Sequence, residues 1–131
     1  MNRLSGPRFL NTILLGGDTA GKLDAAAAAG FTQVELWRED VESSSVADVH
    51  AALTRTGLQL TDVQVLLDFE GASAATREGK RAEALSLLAL AHDMGAGTVL
   101  VPACTATDYV PDRVTDDLRW AVRARCHAMP S

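Results

Sequence analysis

Four short segments rich in apolar and β-branched residues alternate along this chain with four longer segments of helical composition. The strand-like segments are FLNTILL (9–15), TQVELW (32–37), QLTDVQVLL (59–67) and TVLVP (98–102). The helical segments cover residues 19–29, 46–55, 75–94 and 112–125. Strands and helices that alternate at this spacing predict an α/β fold with parallel strands and right-handed crossover connections.

Two α/β architectures fit this alternation, an open doubly wound sheet and part of a (β/α)8 barrel. A complete barrel needs roughly 250 residues, whereas this chain has 131. The apolar pattern also stops at RCHAMPS, where a fifth strand would be due. We therefore expect a single domain over residues 1–131 that ends partway through its fold.

Residues at the segment boundaries predict where the helices begin and end. The predicted N-caps are Asp18, Ser44 or Ser45, and Asp112. The glycines predicted to end the first three helices are Gly30, Gly57 and Gly95. Helical spacing within the third helix predicts a shared face formed by Leu85, Leu88, Ala89 and His92.

The composition excludes several classes of protein. With 12 basic and 17 acidic residues, the net charge is −5, and an acidic domain without a basic stripe is a poor nucleic-acid binder. No window approaches the ~18 uninterrupted apolar residues of a membrane helix, and the first ten residues lack the apolar core of a secretory signal. Cys104 and Cys126 form no CxxC motif, which indicates reduced thiols. We therefore expect a cytoplasmic protein that binds neither nucleic acid nor membrane.

The segment GGDTAGK at 16–22 has the form of a phosphate-binding loop and lies between a strand and a helix, as such a loop must. Leu23 follows it in place of the Ser or Thr whose hydroxyl would bind Mg²⁺. Asp18 would also face the phosphates from inside the loop. We therefore interpret Gly16–Lys22 as a strand–turn–helix joint, with a nucleotide-binding domain as the less favoured alternative.

Acidic residues occur within or just after two of the predicted strands. Glu35 lies in VELW, and Asp68 and Glu70 follow the third strand in LLDFEG. Parallel α/β folds bind ligands at the carboxyl ends of their strands, where carboxylates can bind a cation, accept a proton or hydrogen-bond hydroxyl groups. The structural alternative is that Glu35 pairs with a neighbouring arginine and that the other two are loop surface residues.

The histidines and cysteines form no motif for a metal or a nucleophile. His50 and His92 fall in predicted helices and His127 in the tail, and no two have the spacing of metal ligands. Cys104 follows the fourth strand, but no histidine is near it in the sequence to activate its thiol. We therefore predict no metal site in this chain.

Three segments occur together in the order seen in a known family. NTILLGGDTAGKLDAAAAAGFTQVELWRED, VQVLLDFEG and the long helix leading to GAGTVLVP resemble the xylose isomerase-like TIM-barrel family, from about Asn11 to Trp120. That family contains sugar phosphate isomerases and epimerases, and bacterial 3-dehydroshikimate dehydratases are relatives. The resemblance implies a (βα)4 chain, the amino-terminal half of a (β/α)8 barrel. It also implies that the phosphate-loop pattern is a coincidence.

The resemblance further implies a reaction and a set of substrate-binding residues. Family enzymes remove a proton beside the carbonyl of a sugar or keto-acid substrate, with a divalent metal held by strands of the second half. Glu35, Trp37, Asp68 and Glu70 are then the substrate-binding residues of this half. Relatives often carry Arg in place of Leu67, where a guanidinium would hold an anionic group. Without the metal, this chain alone is expected to have little or no activity.

A (βα)4 chain would leave two strand edges unpaired, on the first and the fourth strand. It would also leave inner-face apolar side chains open to water, and the candidates are Val34 or Leu36 and Val99 or Leu100. Unpaired edges favour pairing with another chain, so we expect self-association into a homodimer whose eight strands close one barrel. The other possibility is a non-catalytic interaction module that uses the same edges to pair with a partner.

Overall fold

The computed structural model describes residues 6–128 of the chain and the side chains of residues 6–124. Its strands are β1 (Phe9–Asn11), β2 (Gln33–Trp37), β3 (Gln59–Gln64) and β4 (Thr98–Val99). Its helices are α1 (Thr19–Ala28), α2 (Arg38–Glu42), α3 (Val46–Thr56), α4 (Arg77–Met94) and α5 (Val114–Ala128). No helix in the described range has the length and hydropathy needed to cross a bilayer. The alternation of strands and helices confirms the predicted α/β class. The chain divides into two compact units after Val63.

The first unit contains a parallel sheet in which alternate residues of β2 have different environments. β1 runs parallel to β2 with Asn11 opposite Glu35, and β3 lies next to β2. Val34 and Leu36 are fully buried, whereas Glu35 and Trp37 are half-buried. The apolar residues buried in the same unit include Leu23, Ala26, Val49, Ala52, Leu53 and Val63. The expectation that Val34 or Leu36 is open to water is therefore wrong, because the pleat of the strand directs both into the core.

In the second unit, the face of α4 that the sequence groups together is not the buried one. Leu85, Leu88, Ala89 and His92 lie within one continuous helix, but the first, third and fourth are exposed and Leu88 is half-buried. The buried residues are instead Ala84, Leu87, Ala91 and Met94. Alanine and leucine occur on both sides of this helix, so their periodicity does not fix its orientation, and packing against neighbouring segments does.

A buried carboxylate connects α4 and α5 in the second unit. Asp117 on α5 is 1% exposed, and its Oδ1 lies 3.5 Å from Arg77 Nε and 3.6 Å from Arg81 Nη2 on α4. Its Oδ2 accepts a hydrogen bond from Gly71 N–H at 2.9 Å. The Arg81 guanidinium also lies 4.9 Å from the ring centroid of Trp120 on α5, and the Phe69 ring packs against the same tryptophan. Such partners are what allow a charge to be buried at this depth.

Capping signals in the sequence correctly predicted most of the helix ends. Asp18 Oδ1 accepts the N–H of Gly21 at 2.7 Å, and the Ser45 hydroxyl caps α3. The predicted stop residues all have positive φ, namely Gly30, Gly57 and Gly95. Asp112 is the exception, because it lies inside a short 3-10 helix (Pro111–Arg113) that precedes α5, and its side chain makes no capping bond.

The strands are shorter than their sequences predict. A 3-10 helix (Thr12–Leu14) follows β1, where the sequence predicts that the strand continues. β3 ends at Gln64, and β4 has only two residues, although Leu66 N–H still donates to the carbonyl of Leu100 at 3.3 Å. Leu100, which directly follows β4, is 44% exposed. An apolar side chain beside β4 is therefore open to water, as the sequence predicts for Val99 or Leu100.

Asp18→Ala should lower the free energy of unfolding by about 1 kcal/mol, because the N–H of Gly21 loses its capping acceptor. Asp112→Ala is the matched control. It makes the same change at an aspartate that the sequence also predicts as a cap, and it should alter stability by less than about 0.5 kcal/mol. Urea unfolding followed by circular dichroism measures both variants, and equal losses would contradict this assignment of the caps.

Candidate functional site

The two carboxylates that follow β3 hold the backbone that follows β4. Asp68 Oδ1 accepts hydrogen bonds from the N–H of Thr105 at 2.8 Å and from its hydroxyl at 3.3 Å. Glu70 Oε1 accepts the N–H of Cys104 at 2.5 Å. Two successive amides are thus bound by two acidic side chains. The structure therefore brings together two of the predicted site residues, Asp68 and Glu70, within the second unit.

The backbone between β3 and α4 is shaped to present these carboxylates. Asp68 has a φ of 52°, in the left-handed region that few residues other than glycine adopt. Gly71 has a φ of 72° and lies beneath Tyr109, so that a Cβ at this position would come within 2.3 Å of the tyrosine ring. The N–H of Val110 also donates to the carbonyl of Gly71 at 2.7 Å. Only glycine fits here, and the contact fixes the loop after β4 against the loop after β3.

Hydrogen bonding and burial shift the pKa values of Asp68 and Cys104 in opposite directions. The N–H of Thr105 lowers the pKa of Asp68 below its ordinary value of 3.8, because it stabilises the ionised carboxylate. Burial raises the pKa of the Cys104 thiol above 9.0, and the charges of Asp68 and Glu70 raise it further. Cys104 therefore remains a protonated thiol near neutral pH, which makes it a poor nucleophile.

One carboxylate oxygen in this cluster has no hydrogen-bond partner. Glu70 Oε2 is buried from solvent and accepts no hydrogen bond, although Oε1 of the same carboxylate is bound to Cys104 N–H. An unsatisfied buried acceptor costs about 1–3 kcal/mol, and more when it is charged. Among the described residues, none satisfies this oxygen.

The other two predicted site residues, Glu35 and Trp37, lie two residues apart on β2, so both side chains point to the same face of the strand. The indole Nε1 of Trp37 donates to Asn11 Oδ1 at 2.7 Å. The sequence suggested a carboxylate surrounded by apolar neighbours, but Val34 and Leu36 point to the opposite face. Glu35 is thus on the half-exposed side of the strand.

Asp40 is a residue that sequence reasoning missed. It is 4% exposed, and its carboxylate accepts hydrogen bonds from the Thr12 hydroxyl (2.5 Å), the Lys22 ammonium (2.8 Å) and the N–H of Trp37 (3.0 Å). Asp40 is the third residue of α2, a five-residue helix that the sequence did not predict. The only sequence signal is an acidic residue three positions after Trp37, which is typical of a helix start.

The contacts of Asp18 and Lys22 distinguish between the two interpretations of the segment Gly16–Lys22. The Asp18 side chain caps α1, and the Lys22 ammonium is bound to a buried carboxylate. Both residues therefore have structural roles. This geometry favours the strand–turn–helix interpretation over nucleotide binding.

A metal ion does not fit the residues of this chain that the structure describes. Within that part of the chain, no three His, Cys, Asp or Glu side chains lie close enough together to hold one. The divalent metal implied by the family resemblance thus has no ligand set here. His127 lies among the residues whose side chains are outside the described range.

Comparisons with known proteins agree with the fold described above. The family model described as "Xylose isomerase-like TIM barrel" matches residues 23–128. A 3-dehydroshikimate dehydratase of Pseudomonas aeruginosa is 35% identical over 117 residues, which are 86% of this chain and 18% of that protein. The chain therefore spans about a fifth of the length of this curated relative.

Two solved structures also resemble the chain. A fusion protein of a xylose isomerase-like TIM barrel and 4-hydroxyphenylpyruvate dioxygenase is 28% identical, with a TM-score of 0.82, over 92% of this chain and 20% of that one. An IolI protein with a bound zinc atom is 15% identical, with a TM-score of 0.76, over 94% of this chain and 49% of that one. The four βα units described here thus correspond to half of a (β/α)8 barrel.

The pKa of Asp68 provides a test of the carboxylate–amide contacts. We expect a value below 3.8 in the folded protein, so its contribution to stability is complete above about pH 3.8 and is lost as the pH falls through the lower, folded-state pKa. Thr105→Val should raise this pKa only in part, because the N–H of residue 105, which has the larger effect, remains. Carboxyl ¹³C NMR titration measures the pKa of Asp68 in both proteins. A value of 3.8 or higher in the unmodified protein would contradict the hydrogen bonds described for this carboxylate.

Proposed function

Because the chain belongs to the xylose isomerase-like TIM-barrel family, we propose that it forms the substrate-binding half of a barrel that removes a proton beside a carbonyl group. Isomerases, epimerases and dehydratases of hydroxylated carbonyl compounds share this first step. A dehydratase also expels the hydroxyl of the next carbon as water. The identity to a 3-dehydroshikimate dehydratase favours dehydration over sugar isomerisation.

The observation that carries this proposal is the unpartnered carboxylate oxygen of Glu70. In our proposal it accepts a hydrogen bond from a substrate hydroxyl, while the N–H of Cys104 holds the other oxygen and so fixes the direction of the carboxylate. Asp68 is proposed as a further substrate contact of the second unit. Glu35 and Trp37 are proposed, separately, as substrate contacts of the first unit. Leu67, 48% exposed, occupies the position where relatives often carry Arg. We therefore infer that this half contacts the neutral hydroxyl groups of the substrate rather than its anionic group.

The role of this chain is thus to bind and orient the substrate. The described residues offer no ligand set for a metal, so the electrophilic stabilisation that a metal supplies would come from another segment. Losing several kcal/mol of transition-state stabilisation slows a reaction by orders of magnitude. For this reason we propose binding with little or no turnover by this chain alone.

Titration with 3-dehydroshikimate, and in parallel with a neutral ketohexose, tests the proposal. The ¹⁵N resonances of Cys104 and Thr105 should shift with ligand concentration. Glu70→Gln should weaken binding about tenfold or more, because a charged acceptor is replaced by a neutral amide. Asp24→Asn is the control, since it removes the same charge from an exposed aspartate that pairs with Arg55. Turnover is followed in the same samples with added Mg²⁺ or Mn²⁺.

Two results would contradict this function. If neither compound shifts the two amide resonances at millimolar concentration, the chain is not a substrate-binding half. If turnover occurs and disappears in Glu35→Gln, the chain is a working enzyme by itself, and the proposed need for another segment is wrong.

A second proposal, self-association, rests on exposed apolar surface in the second unit. Leu118 and Val122 on α5 are 46% and 67% exposed. Both residues line a shallow hollow of 460 Å³. Val122 also lines a second hollow of 270 Å³, together with Leu88, Val99 and Ala121. Each large apolar side chain left in water forgoes about 1.5–3 kcal/mol of burial. We propose that a second copy of the chain, or a separate chain that supplies further strands, covers this surface.

Light scattering at micromolar concentration tests the association. We expect a homodimer or a larger species, and Leu118→Glu should shift it towards the monomer by placing a charge on the covered surface. Leu85→Glu is the matched control, because Leu85 is similarly exposed (43%) but lies on α4 and lines neither hollow. A monodisperse species of 13.8 kDa in the unmodified protein would contradict the proposal.

A further inference from the structure

Trp37 is held at two of its atoms, although it lies at a strand end and is half-buried. Its backbone N–H donates to Asp40 Oδ2 at 3.0 Å, and its indole Nε1 donates to Asn11 Oδ1 at 2.7 Å. The first contact fixes the turn from β2 into α2, and the second fixes the plane of the ring.

Asn11 forms a bridge between two neighbouring strand ends. Its Oδ1 also accepts the N–H of Ile13 at 3.0 Å, so a single side-chain oxygen ends β1 and holds the indole of β2. The register of the parallel pair places Asn11 directly opposite Glu35. The asparagine is therefore located where the carboxyl ends of β1 and β2 meet.

Asp40 holds the backbone on which Trp37 lies. Its carboxylate is 5% exposed and binds the Thr12 hydroxyl and the Lys22 ammonium in addition to the N–H of Trp37. A buried charge of this kind often contributes less to stability than an apolar residue of the same volume would. Its contacts reach the 3-10 helix after β1, helix α1 and the end of β2. They fix these segments relative to one another.

The segments held in this way enclose a hollow of 230 Å³ in the first unit. It is lined by Ile13, Lys22, Trp37, Glu39 and Asp40. The indole and Ile13 supply apolar surface, whereas Glu39, whose side chain is 63% exposed, supplies a carboxylate that can accept hydrogen bonds from hydroxyls. An apolar wall facing polar groups suits a small hydroxylated molecule, whose C–H groups contact the aromatic ring while its hydroxyls bind the polar side.

We propose that Asn11 and Asp40 are positioning residues that hold the indole of Trp37 as one wall of a site for a small hydroxylated ligand. This inference rests on the proposed function, because it deepens the role of Trp37 in substrate binding. It adds two residues that the sequence did not indicate. It also assigns the orientation of the ring to the oxygen of Asn11 rather than to packing alone.

The test compares Asn11→Ala with Asn11→Asp. Alanine removes the acceptor of the indole, whereas aspartate retains an oxygen at that position. Asn11→Ala should speed hydrogen exchange of the Trp37 indole N–H about tenfold or more and should weaken the binding of 3-dehydroshikimate by a similar factor. Asn11→Asp should restore both values. The indole resonance is assigned with Trp120→Phe, and circular dichroism verifies that each variant is folded.

The possible outcomes distinguish failure of this inference from failure of the proposed function. If the ligand binds the unmodified protein and Asn11→Ala with equal affinity, the positioning role is overturned while the proposed function stands. If exchange of the indole N–H is the same in both, the contact with Asn11 does not hold the ring, and the inference also fails. If the ligand binds neither protein but Asn11→Ala speeds exchange, the ring is held as described, and both the site and the proposed function are overturned.

Discussion

Carboxylates that accept hydrogen bonds from backbone amides fix the segments that follow the strands of this protein. In the first unit, Asp40 binds the N–H of Trp37 at the end of β2. In the second unit, Asp68 and Glu70 bind the two successive amides of Thr105 and Cys104 after β4. An ionised acceptor makes such bonds about twice as strong as neutral ones, so a few acidic residues suffice to order these loops.

The partners of each carboxylate distinguish structural acids from candidate ligand-binding acids. Asp40 has a lysine in contact and Asp117 has two arginines, so the charge of each buried aspartate is compensated within the fold. Among the described contacts of Glu70, one oxygen binds an amide and the other has no hydrogen bond. A fold has no stability reason to bury an unsatisfied carboxylate oxygen. This contrast is why a substrate hydroxyl is proposed as the partner of Glu70.

Membership of the family and the share of a barrel that this chain covers underlie the division of labour that we propose. The chain aligns with 49% of a single-barrel structure and with smaller shares of longer relatives. Its described residues include carboxylate acceptors and a tryptophan held at two atoms, but no set of metal ligands. In the proposed enzyme, this half therefore recognises the hydroxyl groups, and the remaining strands supply the metal chemistry of proton removal.

Local features of the sequence predicted the α/β class, the order of strands and helices, and most helix ends. These depend on neighbours along the chain: the side chain of Asp18 reaches an amide three residues away, and Gly57 supplies a positive φ by itself. The sequence placed Asp68 and Glu70 at the carboxyl end of a strand, where parallel sheets bind ligands. It did not predict that they bind the backbone of the loop after β4.

Other features depended on residues far apart in the sequence, and only the tertiary structure decided them. The sequence did not determine which face of α4 is buried, because leucine and alanine line both sides of that helix and only its packing selects one of them. The burial of Asp40 depends on Thr12 and Lys22, which lie 28 and 18 residues away. The hydropathy pattern of a sequence indicates that burying a charged residue is unfavourable. It does not identify the distant partner that offsets this cost. The sequence by itself therefore determined the order of most elements and most of the helix ends. Long-range pairing of charges and amides determined which of the described acidic residues support the fold and which one has an unsatisfied acceptor oxygen.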